Sequence, residues 1–213
     1  MAQNRQVRSI YQTPAFRMSY PALMEAKANL DGKMKFEVTM LFPKSNVVAQ
    51  LKAAKHPAAP WMADDNCQGF YNEIIKIARA NFGPDVSLSS LKITKFRDGD
   101  LPKPNGKTEE SDKGHIIVRT SSNEKPKCLR QDKTVITEAS EVYAGCWVRA
   151  ILTVAPFLKP QHGVTIYLAG IQKLADDAPF SSRPRVEDEF DAVAVEGQDA
   201  TGAGEVTKMP WEQ

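Results

Sequence analysis

The chain has 213 residues, 42% hydrophobic and 25% charged, which fits one globular domain with extensions and excludes a disordered or membrane class. No run approaches the roughly 18 apolar residues of a membrane span, residues 1–6 are too polar for a signal peptide, and Cys67, Cys128 and Cys146 form no C-x-x-C pair, which points to reduced thiols. The net charge of +2 conceals a division: from Val186 onward eight acids stand against one base, Lys208, a net −7 that leaves +9 on the body.

In chain order, Phe16, Met18 and Tyr20 alternate with Arg17 and Ser19, the pattern of a half-buried strand. After the turn signal Asp31-Gly32, residues 35–42 alternate again. Phe36, Val38, Met40 and Phe42 share one face, with Lys35, Glu37, Thr39 and Leu41 on the other, and the two segments predict a hairpin. Pro43 stops that strand, a short helix is expected over 47–55, and 56–60 is a Pro/Ala turn. Residues 68–81 carry Phe70, Tyr71, Ile74, Ile75, Ile77 and Ala78 at helical spacing, and Gly83-Pro84 ends the helix. The sheet resumes at 93–96, whereas 97–114 has no periodicity and reads as a long exposed loop. Beyond it, strands are expected at 115–121, 127–130, 134–136, 143–154 and 164–174. No strand–helix–strand alternation occurs, so the expected fold is mainly β with one or two helices, an antiparallel sandwich or barrel, with a five-stranded Greek-key barrel as the natural candidate.

Catalytic readings fail individually. Gly106-Lys107-Thr108 resembles the end of a phosphate-binding loop, but Leu101 stands where that loop needs its first glycine. His56, His115 and His162 share no metal-ligand spacing with the cysteines. Asp98 and Asp100 could hold a metal for nuclease chemistry, although Asp-Gly-Asp in a polar loop is more often a turn. No cofactor or metal is implied.

Binding reads better. Alternation over 143–154 puts Cys146, Val148, Ala150, Leu152 and Val154 inward and Trp147 and Arg149 outward. Over 164–173 it puts Val164, Ile166 and Leu168 inward and Thr165, Tyr167, Ile171 and Lys173 outward, and over 115–121 it adds Arg119. An aromatic ring beside a cation suits an unpaired base and its phosphate, and a stack is worth about 1–3 kcal/mol for any base. Arg17 and Lys35 on the first hairpin, with Lys127 and Arg130 later, extend the basic face. The competing reading is that an outward Trp or Tyr is covered by the helix or a partner subunit, and that Arg149 pairs with a carboxylate.

Four segments carry a resemblance: 16–21 (Phe-Arg-Met-Ser-Tyr-Pro), 35–44 (Lys-Phe-Glu-Val-Thr-Met-Leu-Phe-Pro-Lys), 143–150 (Tyr-Ala-Gly-Cys-Trp-Val-Arg-Ala) and 163–173 (Gly-Val-Thr-Ile-Tyr-Leu-Ala-Gly-Ile-Gln-Lys). In this order, across about residues 7–191, the chain resembles the bacteriophage single-stranded DNA-binding proteins. The resemblance implies an OB-fold over 1–185 that coats single strands during phage replication and recombination in the cytoplasm of the infected host. It implies a flexible, disordered acidic tail over 186–213 that contacts replication or recombination partners, with Phe190 and the terminal Trp211 as candidate anchors. It also places DNA contact at an aromatic after a proline with a basic residue nearby, here Pro156, Phe157 and Lys159. The charge division itself predicts that the tail competes with DNA for the basic face. Two other readings are a metal-dependent nuclease at Asp98 and Asp100 and an adaptor whose basic body docks an acidic protein. Oligomeric state is not encoded in any of these patterns, and a homo-oligomer is compatible with them.

Overall fold

Alternating segments become long strands, and their pairing closes on itself. The computed structural model describes residues 6–29, 31–103 and 106–180; the tail, with Phe190, Trp211 and the boundary at 185/186, lies outside the described residues. The strands are β1 (Ser9–Gln12), β2 (Phe16–Ala28), β3 (Met34–Pro43), β4 (Lys92–Ile93), β5 (Phe96–Asp98), β6 (His115–Ser122), β7 (Lys127–Leu129), β8 (Trp147–Phe157) and β9 (Gly163–Ala175). Helices α1 (Ser45–Ala53) and α2 (Gln68–Phe82) lie between β3 and β4.

β8 pairs with β2, β2 with β3, β3 with β6, β6 with β9, and β9 returns to β8. All these pairings are antiparallel except β6 with β9. The circuit is a closed five-stranded Greek-key barrel, the OB-fold, and closure removes the open edges that a flat sheet would expose. β1 lies outside the circuit against β8, β5 pairs with β6, and β4 and β7 both run parallel to β9.

Inward residues of the alternating strands fill the barrel: Met18, Val38, Met40, Val118, Val148, Leu152, Val154, Ile166 and Leu168 are all buried. α2 adds Phe70, Ile74, Ile77 and Ala78 to the same core. Phe70 stacks on Tyr11 at 4.9 Å and meets Phe42 and Phe96 edge-on. Each such large side chain contributes about 1.5–3 kcal/mol by leaving water.

Four local expectations change. β2 does not end near Tyr20: that residue takes φ 46°, and the register jumps between Ser19 and Ala22, so a bulge bends the strand and lets it continue to Ala28. The strand expected over 143–154 begins only at Trp147, because residues 143–146 form a turn in which Gly145 has φ 117° and its amide donates to the Met18 carbonyl. Residues 134–136 form an isolated bridge, Leu129 with Val135, instead of a strand. The segment 97–114 is held by charge. Lys44 binds Asp98 at 2.5 Å and Asp100 at 2.6 Å, Arg97 pairs with Asp112, and Lys103 pairs with Glu109. Gly99 is required there, since a Cβ would lie 1.8 Å from the Asp112 carbonyl oxygen.

Candidate nucleic-acid interface

The interface is built where β8 turns into β9. β8 ends at Pro156 and Phe157, residues 158–162 form the connecting loop, and β9 starts at Gly163. Gly163 pairs with Phe157 and, on its other side, with Lys92 of β4. A Cβ at Gly163 would stand 2.1 Å from the Lys92 carbonyl and 2.4 Å from Phe157 Cζ. The bare glycine therefore lets the Phe157 ring lie across the strand and lets β4 approach. Phe157 is left half-buried at the mouth of an open groove of about 460 Å3, lined also by Lys35, Lys92, Lys159, Thr165, Ser121 and Tyr167. Tyr167 is 45% exposed. The groove thus sets two aromatic rings among three lysines, beside the loop joining the fourth and fifth barrel strands, one of the places where OB-folds bind oligonucleotides.

The face continues from there. Ile10, Thr153, Tyr167 and Ser121 occupy one register row across β1, β8, β9 and β6, and paired residues share a face. Arg119 is exposed two residues before Ser121, on the same side of β6. Further along β9, Arg149, Lys127, Lys133, Leu129 and Ile151 surround a second cavity. Among the described residues, Lys35, Lys92, Arg119, Lys127, Lys133, Arg149 and Lys159 have no carboxylate partner. Arg149 instead donates from Nε to Gln172 Oε1 at 2.8 Å. Such a band offers phosphate-binding cations alongside stacking surfaces, with little internal neutralisation.

The sequence pattern of a family described as Enterobacter phage Enc34, ssDNA-binding protein, matches residues 10–201. The chain belongs to this family. The match runs past β9 and takes in the acidic stretch around Phe190. A relative described as putative protein p50 of Acyrthosiphon pisum secondary endosymbiont phage 1 is 23% identical over 170 residues, 78% of this chain and 83% of the relative. Among solved structures, the single-stranded DNA-binding protein from bacteriophage Enc34 in complex with ssDNA aligns with a TM-score of 0.57 at 22% identity, over 81% of this chain and 89% of that one. A second structure of the bacteriophage Enc34 protein aligns at 0.54 and 21% identity, over 85% and 90%. These likenesses establish the fold as that of the family.

Several residues read as part of the face belong elsewhere. Trp147 is outward by alternation, yet it is 1% exposed. Ala15, Val48, Ala58, Ala59, Met62 and Leu174 cover it, its Nε1 donates to Asp177 Oδ2 at 2.8 Å, and His56 lies 5.2 Å away. The cause is the 45–62 segment, whose helix and Pro/Ala turn pack on the outside of the barrel, so Trp147 offers no stacking surface. Arg17 is likewise consumed: it donates to the Gly145 and Ala178 carbonyls at 3.0 and 2.7 Å, pairs with Asp177 at 3.5 Å and lies over the Phe180 ring at 4.3 Å. Lys173 pairs with Asp176 at 2.7 Å, and Arg130 makes a two-pronged contact with Glu141 at 2.9 and 2.7 Å.

The Asp98 and Asp100 pair is taken too. Both carboxyls are held below the usual range, Asp98 chiefly by its bond from Lys44 and Asp100 chiefly by the Gly114 amide. The Lys44 ammonium occupies the space between them that a metal would need. Burial pushes the Cys128 and Cys146 thiols up to about 11 and raises Cys67 as well, so none is a thiolate nucleophile. Lys92 is not legible as a site residue in the sequence. Lys92 reaches Phe157 only through the parallel pairing of β4 with β9, which local periodicity does not show.

Proposed function

We propose that this chain binds and coats single-stranded DNA with little sequence preference, without catalysis, during phage replication or recombination in the cytoplasm of the infected host. Phosphates are drawn to Lys35, Lys92, Arg119, Lys127 and Lys159, bases stack on Phe157 and Tyr167, and Arg149 adds a further donor to the face. The observation that carries this reading is the meeting of Phe157, Tyr167, Lys35, Lys92 and Lys159 in one groove on the barrel face. Stacking is indifferent to base identity and phosphate contacts are indifferent to sequence, so the two together give broad binding.

The tail enters through charge. A −7 segment tethered to a +9 body is present at high local concentration and competes with the strand for the same cations. Its acids around Phe190, and Trp211 near its end, are the proposed contacts for replication or recombination proteins.

The experiment is a titration of an oligothymidine of about 20 nucleotides, longer than the roughly 4–16 that an OB-fold covers. The intact chain is compared with a chain ending at Arg185 at several salt concentrations. Binding is expected to weaken steeply with salt, and the shortened chain is expected to bind more tightly, with the gap closing as salt screens the tail. No binding at low salt would defeat the function, and equal affinity of the two chains would defeat the tail's role alone.

A further inference from the structure

Beside the aromatic groove, the outer face of β9 carries a second cavity of different chemistry. It measures about 330 Å3, at the small end for ligand pockets, and most of its surface is apolar. Ala169 and Gly170 line it with Ile151 and Leu129, and Gly170 sits in register between Ile151 of β8 and Lys127 of β7. The depression exists because β9 carries small residues where β7 crosses close to it: a Cβ at Gly170 would lie 2.8 Å from the Lys127 carbonyl. A carbon lining of this kind gives nothing to a phosphate. It suits the face of a flat ring.

Arg149 is at the rim in a fixed attitude. Its Nε donates to Gln172 Oε1 at 2.8 Å, and the same glutamine donates through Nε2 to the Arg130 and Gln131 carbonyls at 3.1 and 3.0 Å. The Gln172 amide is thereby committed on both sides and locks the guanidinium. The two terminal nitrogens of Arg149 donate to nothing among the described residues. Arg149 thus lines the cavity with a pair of uncommitted donors and no acceptor, and most of the remaining surface is carbon. Exposed Lys127 and Lys133 flank the opening, where the phosphates of an inserted nucleotide would lie.

We propose that this cavity receives one base of a bound single strand and favours guanine there, with Arg149 donating to the guanine O6 and N7 edge. The proposal rests on the reading of the β8–β9 face as a single-strand surface. On the edge that carries N7 or C5, a donor-only fork matches the two acceptors of guanine and finds one on thymine, whereas adenine sets an amino group beside its single acceptor and cytosine offers an amino group alone. The preference acts at one position of the strand, so tolerance elsewhere is unaffected.

The test uses the full chain and two oligothymidines of about 20 nucleotides, one with a central guanine and one with a central adenine. The guanine strand is expected to bind about five- to tenfold more tightly, the low end of arginine–guanine discrimination, because the cavity is open to solvent. Arg149→Lys keeps the charge without the fork, and Ala169→Leu fills the cavity without touching Arg149. In each variant the ratio of the two affinities is read internally, which removes any general change in binding, and in both it is expected to fall to one. Equal affinities in the unaltered chain overturn the base pocket and leave the single-strand reading standing. A guanine preference that survives both substitutions overturns its assignment to this cavity. Failure of both strands to bind overturns the underlying reading instead.

Discussion

The two ends of the β8–β9 hairpin have similar residue chemistry and opposite fates. At the Phe157/Gly163 end, aromatic rings stay open and Lys35, Lys92 and Lys159 stand around them without acid partners among the described residues. At the Trp147/Ala175 end, the aromatic is sealed under the 45–62 segment, and Arg17, Lys173 and Arg130 are each held by an acid, Asp177, Asp176 and Glu141 respectively. The difference lies in what the chain supplies next. Residues 176–180, directly after β9, fold back over the second end: Asp176 and Asp177 meet Tyr143, Trp147 and Arg17, and the Phe180 amide donates to the Ala144 carbonyl. Among the described residues, nothing comparable is laid over Phe157. An interface is therefore recognised by the lack of local cover and counter-charge, more than by the presence of rings and cations.

The largest expected effect breaks the covered end. Trp147→Ala removes a filled volume and the bond to Asp177, and is expected to cost about 3–5 kcal/mol of stability, read as a lowered urea midpoint at unchanged slope. A fall in DNA affinity without a fall in stability would instead return Trp147 to the binding surface. Next in size, Phe157→Ala and Tyr167→Ala are each expected to weaken oligothymidine binding by about 1–3 kcal/mol while the fold persists, since both side chains are already partly in water. If neither substitution moves affinity, base stacking in this groove is wrong.

How far the sequence foretold this contrast depends on where the deciding neighbours lie along the chain. The period-two pattern of 35–42, 143–154 and 164–174 marked the barrel strands, although β8 starts only at Trp147, because a strand's two faces are set by neighbours one residue away. It failed at Ile171, read as outward but buried in the core, because β9 slips by one residue against β8 between Leu168 and Gly170. Phe157 and Lys159, taken from family resemblance, and Tyr167 and Lys35, taken from alternation, come together in the groove. Alternation assigned Trp147 to the outside, which is where its side chain points. It could not show that residues some 90 positions earlier would cover it. The acid partners of Arg17 and Arg130 were likewise non-local, and the bulge between Ser19 and Ala22 interrupts the alternation that had marked the strand up to Tyr20.

A finer comparison uses salt. Replacing Lys35, Lys92 or Lys159 by Gln is expected to flatten the dependence of log affinity on log salt by about 0.7 for each phosphate that is no longer neutralised. The same change at Lys173 is expected to leave the slope alone, because its charge is already answered by Asp176 at 2.7 Å. Slopes that respond equally at both ends would erase the distinction between free and neutralised cations.

The smallest effect is the part of the pH dependence of stability that the covered end contributes. The Asp176 carboxyl is held below its ordinary 3.8 chiefly by the bond from Lys173, and Glu141 below its ordinary 4.5 chiefly by Arg130. Because both values are lower in the folded chain, the unfolded chain binds more protons as the solution is acidified, and stability falls with falling pH. The contribution is complete above the ordinary values and is lost as pH drops through the lowered ones. In each pair one partner is open to water, Asp176 and Arg130, so solvent keeps the effect small. The double variant Asp176→Asn, Glu141→Gln is expected to be less stable than the unaltered chain at pH 7 and to converge with it in strong acid. A stability gap that stays constant across that range would mean that these pairs act by packing and hydrogen bonding, with no net contribution from their charge.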